Sequence, residues 1–166
     1  MGGIEFKMDM SQLQSAVTRT LAAMSETGEL MEEIGEHMRS EIQMAMDKEQ
    51  TLDGEAWPEG NRNGQALRKT SKLYNSITYE ATSDSVAVGV AKAAEDRHPD
   101  VHQDGMVIKA KNAKALRFQL PDGSWRMVKQ VTIPKREIVP DFGKSDKAKS
   151  EIRHICEEYL RGVIGI

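Results

Sequence analysis

The chain has 166 residues, 39% of them hydrophobic and 30% charged, and a formal net charge of −3. A chain of this length builds one hydrophobic core without a metal or disulfide staple, and its near-neutral balance argues against a general affinity for nucleic acid. The single cysteine, Cys156, excludes an internal disulfide framework and fits a reducing compartment, and no apolar run approaches the roughly 20 residues that cross a bilayer.

The opening residues, Met1 to Phe6, have neither the basic n-region nor the apolar h-region of a secretory signal. Phe6 stands where N-myristoylation expects Ser or Thr. Neither processing event is expected, and residues 1–9 are read as a flexible N-terminus of a single domain spanning 1–166. Residues 10–50 read as helix. Met10, Leu13, Val17, Leu21 and Met24 recur at steps of three or four, with Ser11 and Gln14 as a candidate capping box and Gly28 as a break. A second stripe follows at Met31, Ile34, Met38, Ile42 and Ala45, with Glu29, Glu32, Glu33 and Glu36 early in the helix, where its dipole favours acids. Amphipathic stripes usually face a core, so both are read as helix core. Seven of the ten methionines lie between Met8 and Met46, and flexible thioethers equally suit an adaptable partner surface.

Gly, Asn, Asp and Pro mark residues 51–66 as a loop, with Trp57 as its apolar anchor. Leu67 to Ile77 has helical spacing. Strands follow over 77–134: Ile77 to Tyr79, the alternating Val86, Val88 and Val90, and a hairpin in which Leu116, Phe118 and Leu120 return through Pro121 to Ser124 into one strand from Trp125 to Ile133. Residues 96–115 between them are expected to form a mobile arm. Ser145 or Asp146 caps a C-terminal helix over 145–163 with Ala148, Ile152, Ile155, Tyr159 and Val163 on one face. Helices, then strands, then a helix give an α+β fold, its N-terminal helices and C-terminal helix packed on an antiparallel sheet with a long arm.

Charge is segregated along the chain. Between Glu26 and Glu59 there are eleven acids and two bases; between Lys109 and Arg136 there are eight bases and one acid, Asp122. Taken alone, such runs are most often solvated faces of a monomer, but unlike-charged patches also draw copies together head to tail. Chemistry is scarce. The chain has no phosphate-binding glycine motif, no nucleophile elbow and no HExxH helix. Asp100, His102 and Asp104 alternate as candidate metal ligands on a strand, but no further ligand cluster completes them. His37 and His154 read as helix-surface residues, and Cys156 as a small buried hydrophobe. Catalytic residues, cofactor and metal are therefore assigned as none. Lys109, Lys111, Lys114 and Arg117 are able to follow a phosphate backbone with Trp125 or Phe118 stacking on a base, or to meet an acidic protein surface.

Several spaced elements together resemble the phage virion morphogenesis proteins, the tail completion or head–tail joining family of Mu-like phages. They are the acidic helix followed by Asp53-Gly54-Glu55-Ala56-Trp57, Leu67 to Leu73 leading into Ser76-Ile77, Val88-Gly89, His102-Gln103-Asp104-Gly105, Ala115 to Phe118, Val131 to Arg136, and a last helix ending in Tyr159-Leu160. The likeness covers about residues 10 to 162. It departs at Ser71, where the family usually has Gly, and after Pro134, where Lys135-Arg136-Glu137-Ile138 replaces Ala-Arg-Pro and an aromatic. The resemblance implies a non-enzymatic virion component of phage or prophage origin, assembled in the host cytoplasm and placed in the tail or neck. Its expected partners are copies of itself in a ring and other neck or tail proteins, with nucleic acid less favoured and no membrane. His102, Lys109, Lys111, Lys114, Arg117, Lys135 and Arg136 are the expected interaction residues.

Overall fold

A computed structural model describes residues 10–59, 65–68, 70–91, 98–111, 113–120 and 122–164. The expected flexible N-terminus (1–9), part of the loop (60–64), Asp96, Arg97 and Pro121 lie outside the described residues. The elements in order are α1 (Ser11–Ser25), α2 (Gly28–Asp47), α3 (Lys72–Asn75), β1 (Ile77–Ala81), β2 (Val86–Val90), α4 (Pro99–Asp104), β3 (Met106–Lys109), β4 (Leu116–Gln119), β5 (Trp125–Val128), β6 (Gln130–Ile133) and α5 (Asp146–Ile164). The class is α+β with antiparallel strands.

Helix α2 is the spine. Of the apolar stripe read from its sequence, Ile34, Met38, Ile42 and Ala45 are buried and Met31 is half-buried, and the stripe serves two clusters in succession. Leu30, Ile34 and Met38 pack with Leu52, Ala148 and Ile155; one to two turns on, Ile42 and Met46 pack with Trp57, Leu73, Ile77 and Ile138. Met38, Ile42, Met46 and Ile77 are fully buried, each contributing about 1.5–3 kcal/mol by removal from water. On its sheet-facing side α2 meets β1 and β2, paired from Ile77↔Val90 to Ala81↔Val86, and Gly35 lets the Tyr79 ring lie against the helix backbone.

The loop after α2 is tied to distant backbone. Trp57 is buried, and its Nε1–H donates to Glu137 O at 3.1 Å. Asp53 Oδ1 accepts from Lys147 N and from Ser145 Oγ, both at 3.0 Å, while Ala148 N donates to Ser145 Oγ at 3.1 Å. Ser145 is thus the cap of α5, and the loop carboxylate satisfies orphan donors at the same helix start. The α5 face predicted from periodicity is the inward one: Ala148 and Ile155 are buried, and Ile152 and Tyr159 pack beside them with half-buried Cys156.

Four expectations are corrected. The α1 stripe is not core: no residue of α1 is buried, and Leu21 and Met24 are 63% and 67% exposed. Its half-buried side is instead the small-residue face of Ala16, Thr20 and Ala23, and its N-cap is Met10, with no side-chain cap. The helical segment expected over Leu67 to Ile77 shrinks to the single turn α3, because Leu67 and Ser71 take left-handed backbone at φ 59° and 53°. Among the described residues the strands form not one sheet but three two-stranded ones, β1–β2, β3–β6 and β4–β5. Finally, the strand expected from Trp125 to Ile133 divides at Lys129: β5 pairs back on β4, and β6 leaves to pair with β3.

Candidate interaction surfaces

The segment expected to be a mobile arm contains regular structure. Pro99 opens α4 at the first helical position, where its missing N–H is not needed and its fixed φ suits the helix. Asp100, His102 and Asp104 therefore lie on a helix of six residues, not on the strand face that their reading as metal ligands required. Among the described residues no three His, Cys, Asp or Glu side chains group as a metal site. Gln103 has a structural task. Its Oε1 accepts from Ile138 N (2.8 Å) and Val139 N (3.1 Å), and its Nε2 donates to Val139 O (2.7 Å). Arg136 N donates to His102 O at 2.7 Å. Gly105, at φ 74°, brings the chain so near Lys135 N that a Cβ would lie 2.8 Å away. The His102-Gln103-Asp104-Gly105 element thus clamps the arm's root to residues 133–139.

Beyond that root, β3–β6 and β4–β5 form a two-part ribbon in which Ala110 N donates to Lys129 O across the junction at 3.1 Å. No described residue from 98 to 135 is buried. The register of β4 and β5 sets Arg117 opposite Met127 and Gln119 opposite Trp125, so these four share one face. All four are exposed, Trp125 at 58% and Met127 at 66%. The Arg117 guanidinium lies 4.2 Å from the Trp125 ring centroid, a cation–π contact at the surface. On β3, Met106, Val107 and Ile108 are also exposed.

The predicted interaction residues divide. Lys109, Lys111, Lys114, Arg117 and Lys135 are exposed, and His102 is half-buried in α4. Arg136 does not belong with them. It is 5% exposed and donates through Nε and Nη2 to Pro58 O at 3.1 and 2.8 Å. Burial draws its guanidinium below the ordinary arginine value, and nearby Glu49 opposes that shift. The basic run was read as uniform; its last member is a structural latch between the loop and the chain after β6.

The acidic segment finds other partners within the chain. Glu36 pairs with Arg39 at 2.5 Å, Glu41 with Lys147, and Asp47 with Arg68 at 2.5 Å, Arg68 also stacking on Tyr74. The Tyr79 hydroxyl is hydrogen-bonded to Glu32, which raises its pKa, with desolvation adding to the shift. His37 Nε2 meets Glu151 at 3.1 Å, while His154 is exposed as expected. Among the described residues no ion pair joins Lys109, Lys111, Lys114, Arg117, Arg126 or Lys129 to an acid. The ribbon's positive charge remains at the surface.

Two uncovered surfaces result, the apolar outer stripe of α1 and the basic ribbon with its exposed Trp125 and Met127. The sequence singles out the lysines, Arg117 and Trp125 but not Met127, whose signal is the alternation of Trp125 and Met127 opposite Gln119 and Arg117 on the outward side of the hairpin. No helix among the described residues is long and apolar enough to cross a membrane. In comparison with known proteins, the model of the phage virion morphogenesis family matches residues 8–161, nearly the whole chain. No curated protein and no solved structure matched.

Proposed function

The chain belongs to the phage virion morphogenesis family, and from that premise we propose that it completes the tail or the head–tail joint of a phage or prophage particle. It acts by contact and not by catalysis, as a ring-like homo-oligomer that also touches other neck or tail proteins in the virion. The observation that carries this reading is the ribbon, which lies outside the core, is basic and apolar together, and is without an acidic partner among the described residues. A repeated heterologous contact closes a ring when its rotation is right, and unlike-charged surfaces on one chain suit such a contact. The arm formed by residues 96–115 and the strands beyond it is the part that meets the neighbour, through Lys109, Lys111, Lys114, Arg117 and Lys135, with His102 near its root.

A second reading is favoured by one observation, the Arg117 guanidinium stacked on the exposed Trp125 ring. A cation beside an aromatic platform also serves single-stranded or duplex nucleic acid. Reversing Lys109, Lys111 and Lys114 to Glu separates the two readings. Weaker self-association at low salt, with no DNA retained by the parent chain, supports the assembly role. Unchanged sedimentation, together with DNA binding by the parent chain that falls steeply with salt and vanishes in the variant, supports the nucleic-acid role.

A further inference from the structure

Resting on the self-assembly reading, we infer that the outer face of α1 is the docking site for the β4–β5 ribbon of a second copy. The α1 face presents Leu13, Val17, Leu21 and Met24, each roughly half or more exposed. A contiguous apolar strip of that kind amounts to on the order of 300–500 Å², the upper end of what a monomer leaves to water. Covered by an equivalent patch, it removes roughly 600–1,000 Å², which reaches the lower limit of a specific interface at its upper end.

Charge decides which patch. Just past its C-terminal end the α1 strip is followed in the chain by Glu26 and Glu29, which with Ala22, Ala23, Gly28 and Tyr159 line a shallow groove on the α5 side of the helix. Glu26 and Glu29 are exposed, and the negative end of the α1 dipole adds to their field. The complementary occupant is therefore apolar with a cation at its margin. The ribbon face meets that description: Trp125 and Met127 are its exposed apolar side chains, and Arg117 lies over Trp125 on the same face. Donor and acceptor are different surfaces of one chain, so the contact is head to tail and leaves each copy with one free donor and one free acceptor.

The arrangement has a distinctive test, sedimentation of the full chain and of two double variants, Leu21→Gln with Met24→Gln and Trp125→Ala with Met127→Ala. All four side chains are more than half exposed, so folding is expected to survive, and circular dichroism with thermal melts checks it. Each variant alone should associate at least about tenfold more weakly than the parent chain. Mixed one to one, they should form pairs and nothing larger, because only one competent donor and one competent acceptor remain. Charge reversal of Glu26 and Glu29 to Lys provides a second acceptor-side variant with the same expected behaviour in the mixture. Variants that assemble as the parent does overturn this contact and leave self-association standing, as does a mixture that stays single-chain while the parent assembles. A parent chain that is single at every concentration overturns the self-association reading itself, and this contact with it.

Discussion

Gly35 on α2 lies directly beneath the ring of Tyr79 on β1, so close that a Cβ on Gly35 would fall 2.7 Å from Tyr79 Cγ. The hydroxyl of the same ring is hydrogen-bonded to Glu32, one turn earlier on α2. The hairpin β1–β2 therefore sits on the helix at a distance set by the missing side chain. In an uncrowded helix, Gly→Ala stabilises by about 1 kcal/mol. Here the added methyl must displace the Tyr79 ring, and overpacking costs about 1–3 kcal/mol. Gly35→Ala is expected to lower the urea midpoint, and a raised midpoint would contradict the close approach.

Ser71 supplies a prediction of opposite sign. It stands at φ 53° before α3, and its side chain makes no capping hydrogen bond. Left-handed backbone costs a non-glycine residue roughly 1–2 kcal/mol, offset in part by the greater entropy that glycine loses on folding. Ser71→Gly should stabilise by about 0.5–1 kcal/mol, read as a higher thermal midpoint, while Ser71→Ala should give no gain. Equal midpoints for the Gly and Ala variants would show that the backbone is not strained there.

Hydrogen exchange should separate the ribbon from the spine. Isolated two-stranded sheets are marginal in water, and no described residue from 98 to 135 is buried. In the dilute chain, amides of β3 to β6 are expected to exchange orders of magnitude faster than those of α2 around Met38 and Ile42, and to slow at concentrations where the chain assembles. Protection of the ribbon equal to that of α2 in a dilute single chain would remove the idea of an arm that orders against a neighbour.

How far the sequence reached can be stated residue by residue. The stripes of α1 and α2 are equally periodic, yet Met38 is buried and Met24 is exposed. Periodicity shows that a helix has two faces; only the tertiary arrangement decides which face meets a core, and α1 turns Ala16, Thr20 and Ala23 inward. The break at Lys129 was invisible for a related reason. Alternation lapses at Val128-Lys129 and resumes to Ile133, and so short a lapse does not record that the chain changes partner from β4 to β3. Helix α4 was legible in principle, since Pro99 followed by Asp100 is a helix-start signal. It was outweighed by the preference of residues before proline for extended backbone, and His98 in fact adopts a left-handed φ of 49°. Arg136 belongs to a basic run by sequence, and only the path of the Trp57–Pro58 loop over it makes it a buried latch. The exposed lysines of the candidate surface are legible from charge and Trp125 as an aromatic beside them, whereas Met127 needs the hairpin register.

The central claim is that the chain works by sticking to copies of itself through surfaces of unlike charge. Sedimentation velocity of the full chain, across concentration and from low to high salt, tests it most directly. Particles of several copies are expected at low salt, dissociating toward the 18.5 kDa single chain as salt rises. A single-chain mass at every concentration and salt, or assemblies indifferent to salt, would contradict it.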